Sequence, residues 1–157
     1  MKPSTGRRKK ETDRELTLRI VLLAPPAGVD FGLQKGRGVA YETVQTQRSN
    51  GQDLRFEFCV GVRTVKKGAV SDFRGPFVQG PRGQRFIYID IGTYAGQANT
   101  PWSRRLKIPV TGITADMIKR ASADVQTVLE TRVPGTGRDG GPNCATVKPF
   151  AGWKLGR

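Results

Sequence analysis

The chain has 157 residues, a formal charge of +14, two cysteines and no histidine. Without histidine the commonest general base, the base of a catalytic triad and the commonest metal ligand are all missing, and Cys59 and Cys144 cannot hold a zinc ion by themselves. An apolar content of 36% with 20 glycines favours one domain of short antiparallel strands and many turns, and no apolar run approaches the roughly 18–20 residues of a membrane span.

Residues 1–14 have no apolar period and read as a disordered basic arm ahead of a single globular domain over 15–157. The arm holds six cations against two carboxylates, so +4 of the charge, which leaves +10 for the domain. Leu16, Leu18, Ile20 and Leu22 then form one face of a strand that Pro25-Pro26 stops. Val29, Phe31 and Leu33 give a short second strand, and Lys35 to Gly38 a loop. Ala40 to Gln47 and the run from Leu54 are expected to pair as a hairpin through Asn50-Gly51, a type I′ turn signal. The return strand has the cleanest alternation, with Leu54, Phe56, Phe58, Val60 and Val62 inward. Cys59, within it, is expected to be a small buried apolar residue.

Gly75 to Pro81 is irregular, and Pro81-Arg82-Gly83 reads as a turn. Arg85 to Thr93 is a central strand with Ile87, Ile89 and Ile91 on one face and Phe86, Tyr88 and Asp90 on the other; after a loop over 94–101 comes a strand from Arg104 to Val110. A helix is predicted over about 114–131, capped by Thr114 and stapled by Ile113 and Ile118, with Ile118, Ala121, Val125, Val128 and Leu129 as its apolar stripe. Gly135 to Pro142 is a loop, and Ala145 to Trp153 a last strand or extended tail. The expected fold class is α+β: a mainly antiparallel sandwich or partly open barrel with one C-terminal amphipathic helix.

Candidate site residues cluster around the central hairpin. Asp90 in mid-strand is costly unless paired, and Arg105 is the partner if the two strands are neighbours. Arg104, Arg105 and Lys107 lie beside Trp102, where arginine forks suit a carboxylate or phosphate and an indole suits a planar ligand; a charged edge strand that blocks pairing is the plainer reading. Gln34, Gln79 and Gln97 sit by glycine-rich backbone and either serve a polar ligand or hold loops. The glycine-rich run from Gly135 to Gly141 lacks the Gly-Lys-Ser/Thr ending of a phosphate loop and reads as a linker.

The runs Gly28-Val29-Asp30-Phe31-Gly32-Leu33-Gln34-Lys35-Gly36 and Gly75-Pro76-Phe77-Val78-Gln79-Gly80-Pro81, the Ala95-Gly96-Gln97 turn, Trp102 to Ile108, and the closing Cys144-Ala145-Thr146-Val147 and Gly152-Trp153-Lys154 resemble a family of small bacterial proteins of unknown function. The resemblance covers roughly residues 16–155. It implies a bacterial, cytoplasmic, single-domain protein and carries no catalytic residue. Two unclustered cysteines fit the same reducing compartment.

These residues favour a non-enzymatic binding or accessory domain, with Gln79, Asp90, Gln97, Trp102, Arg104 and Arg105 meeting an anionic or polar small molecule. One alternative is a nucleic-acid-binding protein that uses the arm, Arg7 to Lys10 above all, with the basic face. Another is an enzyme that uses Asp90 with Arg104 or Arg105, which requires that carboxylate to stand unpaired in a pocket. No cofactor, metal or membrane insertion is expected.

Overall fold

The alternation of apolar and polar residues becomes two stacked sheets in the computed structural model, which describes residues 11–37, 40–65, 70–80, 85–92, 104–134, 145–146 and 150–157. In chain order the elements are β1 (Glu11–Leu23), β2 (Asp30–Arg37), β3 (Ala40–Arg48), β4 (Leu54–Val65), β5 (Val70–Arg74), β6 (Phe86–Gly92), β7 (Arg104–Pro109), α1 (Ala115–Ala123), β8 (Val128–Pro134), β9 (Ala145–Thr146) and β10 (Lys154–Gly156). One sheet has the order β10-β8-β1-β4-β5 and the other β3-β2-β6-β7-β9. All neighbours are antiparallel except β1 with β8 and β7 with β9. The fold is α+β and sandwich-like, and among the described residues neither sheet closes on itself.

The core lies between the sheets. Leu18, Ile20 and Leu22 of β1 and Phe56 and Phe58 of β4 meet Phe31 and Leu33 of β2, Ile87 and Ile89 of β6, and Leu106 and Ile108 of β7. Each of these side chains is buried, and each stabilises the fold by roughly 1.5–3 kcal/mol relative to exposure. Trp153, ahead of β10, is buried and donates its indole Nε1–H to the carbonyl of Pro109 at the end of β7, which ties the tail of the first sheet to the second.

Five expectations are corrected. The expected loop from Lys35 is strand as far as Arg37, because Lys35, Gly36 and Arg37 pair with Glu42, Tyr41 and Ala40 of β3. The first strand begins at Glu11, because residues 11–14 pair with Val62 to Val65 of β4, so the expected arm loses its last four residues to the sheet. Asn50-Gly51 closes no ladder: β3 pairs with β2 and β4 with β1, so the turn carries the chain from one sheet to the other. Gly51 takes φ +93°, and the side chain of Asn50 accepts from the backbone N–H of Gln52, an Asx turn rather than the predicted type I′. Side-chain amides stand in for the missing ladder, since Gln45 and Gln47 donate to the carbonyls of Glu57 and Arg55. Gln45 is the extra residue of a β-bulge against β2 and takes φ +52°.

The helix stops at Ala123, eight residues before the expected end. Asp124 ends it by turning its carboxylate onto the backbone N–H of Gln126 and the hydroxyl of Thr127. Val125 is 95% exposed, while Val128 and Leu129 are buried in β8, beside β1. The start is as expected: the Thr114 side chain accepts from Met117 N, and Ile113 and Ile118 are buried. Cys59 is exposed rather than buried, because it shares the outward face of β4 with Arg55 and Glu57.

Candidate functional site

β6 and β7 bring part of the expected site together. Their register sets Asp90 opposite Arg105 and Tyr88 opposite Lys107. With Ile87, Ile89 and Ile91 turned to the core, the pleat sends Phe86, Tyr88 and Asp90 to the outer face of the sheet. Asp90 is only 2% exposed. Its Oδ1 accepts from Arg105 Nε at 2.7 Å and its Oδ2 from Gln34 Nε2 at 3.3 Å. A second pair repeats the device on the same face, where Asp30 of β2 accepts two bonds from Arg48 of β3. The bonds to Asp30 raise the Arg48 guanidinium above its ordinary value. A buried carboxylate is tolerable in such company because a guanidinium offers charge and directed N–H groups together.

Gln79 joins this face from outside the named strands. Its backbone exchanges both hydrogen bonds with Phe86, which extends the sheet past the point where β2 leaves β6. Its side chain lies over Gly36, where an added Cβ would collide with the amide, and its Nε2 donates weakly to the carbonyl of Gln34 at 3.5 Å. Gln34 itself is 2% exposed. Its Nε2 is committed to Asp90, which fixes the orientation of the amide, and its Oε1 has no hydrogen-bond partner among the described residues. An acceptor buried in that way costs about 1–3 kcal/mol.

Arg105 and Lys107 also lean over the aromatic rings. The Arg105 guanidinium carbon is 5.6 Å from the centroid of Tyr88, and Lys107 Nζ is 4.2 Å from that of Phe86. All four side chains are half-buried. Thus Gln79, Asp90 and Arg105 of the expected set share one face. Arg104 is placed opposite Ile91 in the ladder, with its side chain outside those described. Gln97, Trp102, residues 1–10 of the arm, Cys144 and the run from Gly135 to Gly141 lie outside the described residues.

Sequence reasoning overlooked Lys107 and Phe86 as a pair, and it named Gln34 as an amide beside glycine-rich backbone without joining it to Asp90. The signal was present: alternation puts Phe86 and Tyr88 on one side of β6. It also overlooked two arginines that hold the scaffold. Arg85 donates to the carbonyls of Gly80, Phe73 and Val78 and so pins the segment that carries Gln79. Arg19, on the outer face of the other sheet, donates to Glu57 at 2.6 Å, Glu130 at 2.9 Å and the carbonyl of Arg157 at 2.8 Å. The bond to Glu130, then that to Glu57, raise the Arg19 guanidinium above its ordinary value. Burial works to raise the Glu130 carboxyl, but the bonds from Arg19 and Arg132 outweigh it and hold the group below the usual carboxylate range.

Asp90 fails the condition set for an enzyme, since it is paired and sealed from solvent. A cavity of about 610 Å³ lies elsewhere, lined by Arg14, Glu15, Cys59, Gly61, Arg74 and Gly75 among others, and none of the expected site residues borders it. No cluster of three or more Cys, Asp or Glu among the described residues is arranged to hold a metal ion. No helix among them is long and apolar enough to cross a membrane.

A family model, that of a family of unknown function, matches residues 16–156. No curated protein and no solved structure matches the chain.

Proposed function

We propose that this chain, which belongs to the DUF5990 family of unknown function, is a binding or accessory domain whose outer β6–β7 face recognises an anionic or polar ligand. The observation that carries the reading is the placement on one face of Arg105 and Lys107 beside the buried Gln34 amide, whose Oε1 lacks a donor among the described residues. The two cations meet a ligand's negative charge, and an N–H or O–H of the ligand brought to Gln34 recovers a hydrogen bond that the fold leaves unmade. The charge of +14 draws anions toward the protein at long range. Asp90 is then a positioning group that fixes Arg105 and Gln34. We place the domain in a bacterial cytoplasm, a reading supported by the exposed free thiol of Cys59.

Thermal unfolding tests this at low ionic strength with phosphate, citrate and nucleoside monophosphates. A member present at a hundredfold excess over its Kd adds about 2.7 kcal/mol, which raises Tm by roughly 5–10 °C in a domain of this size. Lys107→Gln, which leaves the Asp90–Arg105 pair intact, should reduce the rise. No rise with any compound, or an undiminished rise in the variant, would contradict the proposal.

A further inference from the structure

We infer that the ligand of this face is a single-stranded nucleic acid, bound by stacking on Phe86 and Tyr88; the inference rests on the reading of the same face as an anion site. Phe86 and Tyr88 are two residues apart on one strand, so their rings project side by side from the same surface. The centroids are 6.4 Å apart with the planes tilted by 41°. Neither ring is sealed in the core, and each already attracts a cation to its face. Lys107 and Arg105 belong to the neighbouring strand, so a row of two cations runs beside the row of two rings.

That pattern separates nucleic acid from other anions. A small carboxylate or phosphate uses the cations and has no use for two adjacent aromatic surfaces. A nucleotide strand uses both, since every base has a flat face to stack and every phosphate a charge to pair. The guanidinium of Arg105, planar and weakly hydrated, pairs with a phosphate or stacks on a base. Asp90, next along the face, is sealed between Arg105 and Gln34 and holds the guanidinium beside the stacked position without reading a base itself. Duplexes offer no such match, because their bases are already stacked on each other. A single strand over two cations also makes a weak electrostatic demand, with a salt slope near −1.4, from about −0.7 per phosphate neutralised.

The test is fluorescence anisotropy of the full chain with a labelled single-stranded oligouridylate of about 12 nucleotides, within the range of sites on comparable sheet surfaces. The matching duplex and inorganic polyphosphate serve as competitors. The single strand should bind, and the duplex should compete poorly. Phe86→Leu and Tyr88→Leu should each weaken binding by about 5- to 150-fold, the range for loss of one base stack. Lys107→Gln should lower the salt slope by about 0.7. Urea unfolding of each variant separates loss of binding from loss of fold. Equal binding of duplex and single strand, or leucine variants that fold and bind like the wild type, would overturn the inference. If the oligonucleotide fails while citrate or phosphate still raises Tm through Lys107, the stacking inference falls and the anion site stands. If neither binds, both fall.

Discussion

Replacement of Arg105 by alanine removes the guanidinium that accounts for the shortest bond to Asp90, 2.7 Å from Nε to Oδ1. Asp90 stays where the strand puts it, 2% exposed, with the Gln34 amide 3.3 Å away. Deletion of one partner of a fully buried pair costs about 3–5 kcal/mol, because the other charge is left in a poor solvent. Arg105 is itself 36% exposed, so water screens part of that attraction and the expected cost falls to about 2–3 kcal/mol. Loss of the contact over Tyr88 adds about 0.5–1 kcal/mol. The total, about 2.5–4 kcal/mol, corresponds to a fall in Tm of roughly 5–16 °C for a domain of this length. Urea unfolding of wild type, Arg105→Ala, Asp90→Ala and the double variant measures the coupling directly, provided m is unchanged. The double variant should lose less than the sum of the single variants by about 1–3 kcal/mol. A cost below about 0.5 kcal/mol for Arg105→Ala, or additive losses, would refute the view of this pair as a buried interaction that holds the face in place.

Three further outcomes follow from the same contacts. Because its folded pKa is lowered, Glu130 contributes stability that is fully present above its unfolded value and lost as pH falls through the folded one. Tm measured from pH 7 down into the acid range should therefore drop less in Glu130→Gln than in wild type. Gly36→Ala should push the Gln79 amide aside at a cost near 1 kcal/mol or less, since only the end of a flexible side chain has to move, and Gln79→Ala should abolish that cost in the double variant. Thr114→Ala removes the acceptor for Met117 N and should lower stability by about 1 kcal/mol in urea unfolding, with Thr114→Ser restoring most of it.

Much of the fold was legible because a two-residue period has one meaning once a core exists. Phe56, Phe58 and Val60, like Ile87, Ile89 and Ile91, turn inward as their alternation required. The helix was overextended for a definite reason. Val125, Val128 and Leu129 keep a helical spacing, yet Leu129, Thr131 and Val133 alternate equally well, and the β-rich segment finds a place beside β1 that local propensity does not reveal. Asn50-Gly51 marked a turn but not its partners, which tertiary packing chose. On the candidate face, the Asp90–Arg105 pair could be read from sequence because a short connection makes β6 and β7 neighbours. Arg19 could not, since its partners lie 38, 111 and 138 residues away and an arginine on a strand looks like a solvated one. Gln34 became part of the face only when β2 paired with β6.

The most direct measurement of where a ligand sits is a titration of the isotopically labelled full chain with the oligouridylate, followed by proton–nitrogen NMR. The Nε–H of Arg105, the side-chain amides of Gln34 and Gln79, and the backbone amides of β6 and β7 should shift together and saturate in one transition. Shifts confined to the outer face of the β1–β4–β8 sheet, around Arg19 and Glu130, with β6 and β7 unmoved at saturation, would contradict the assignment of function to this face.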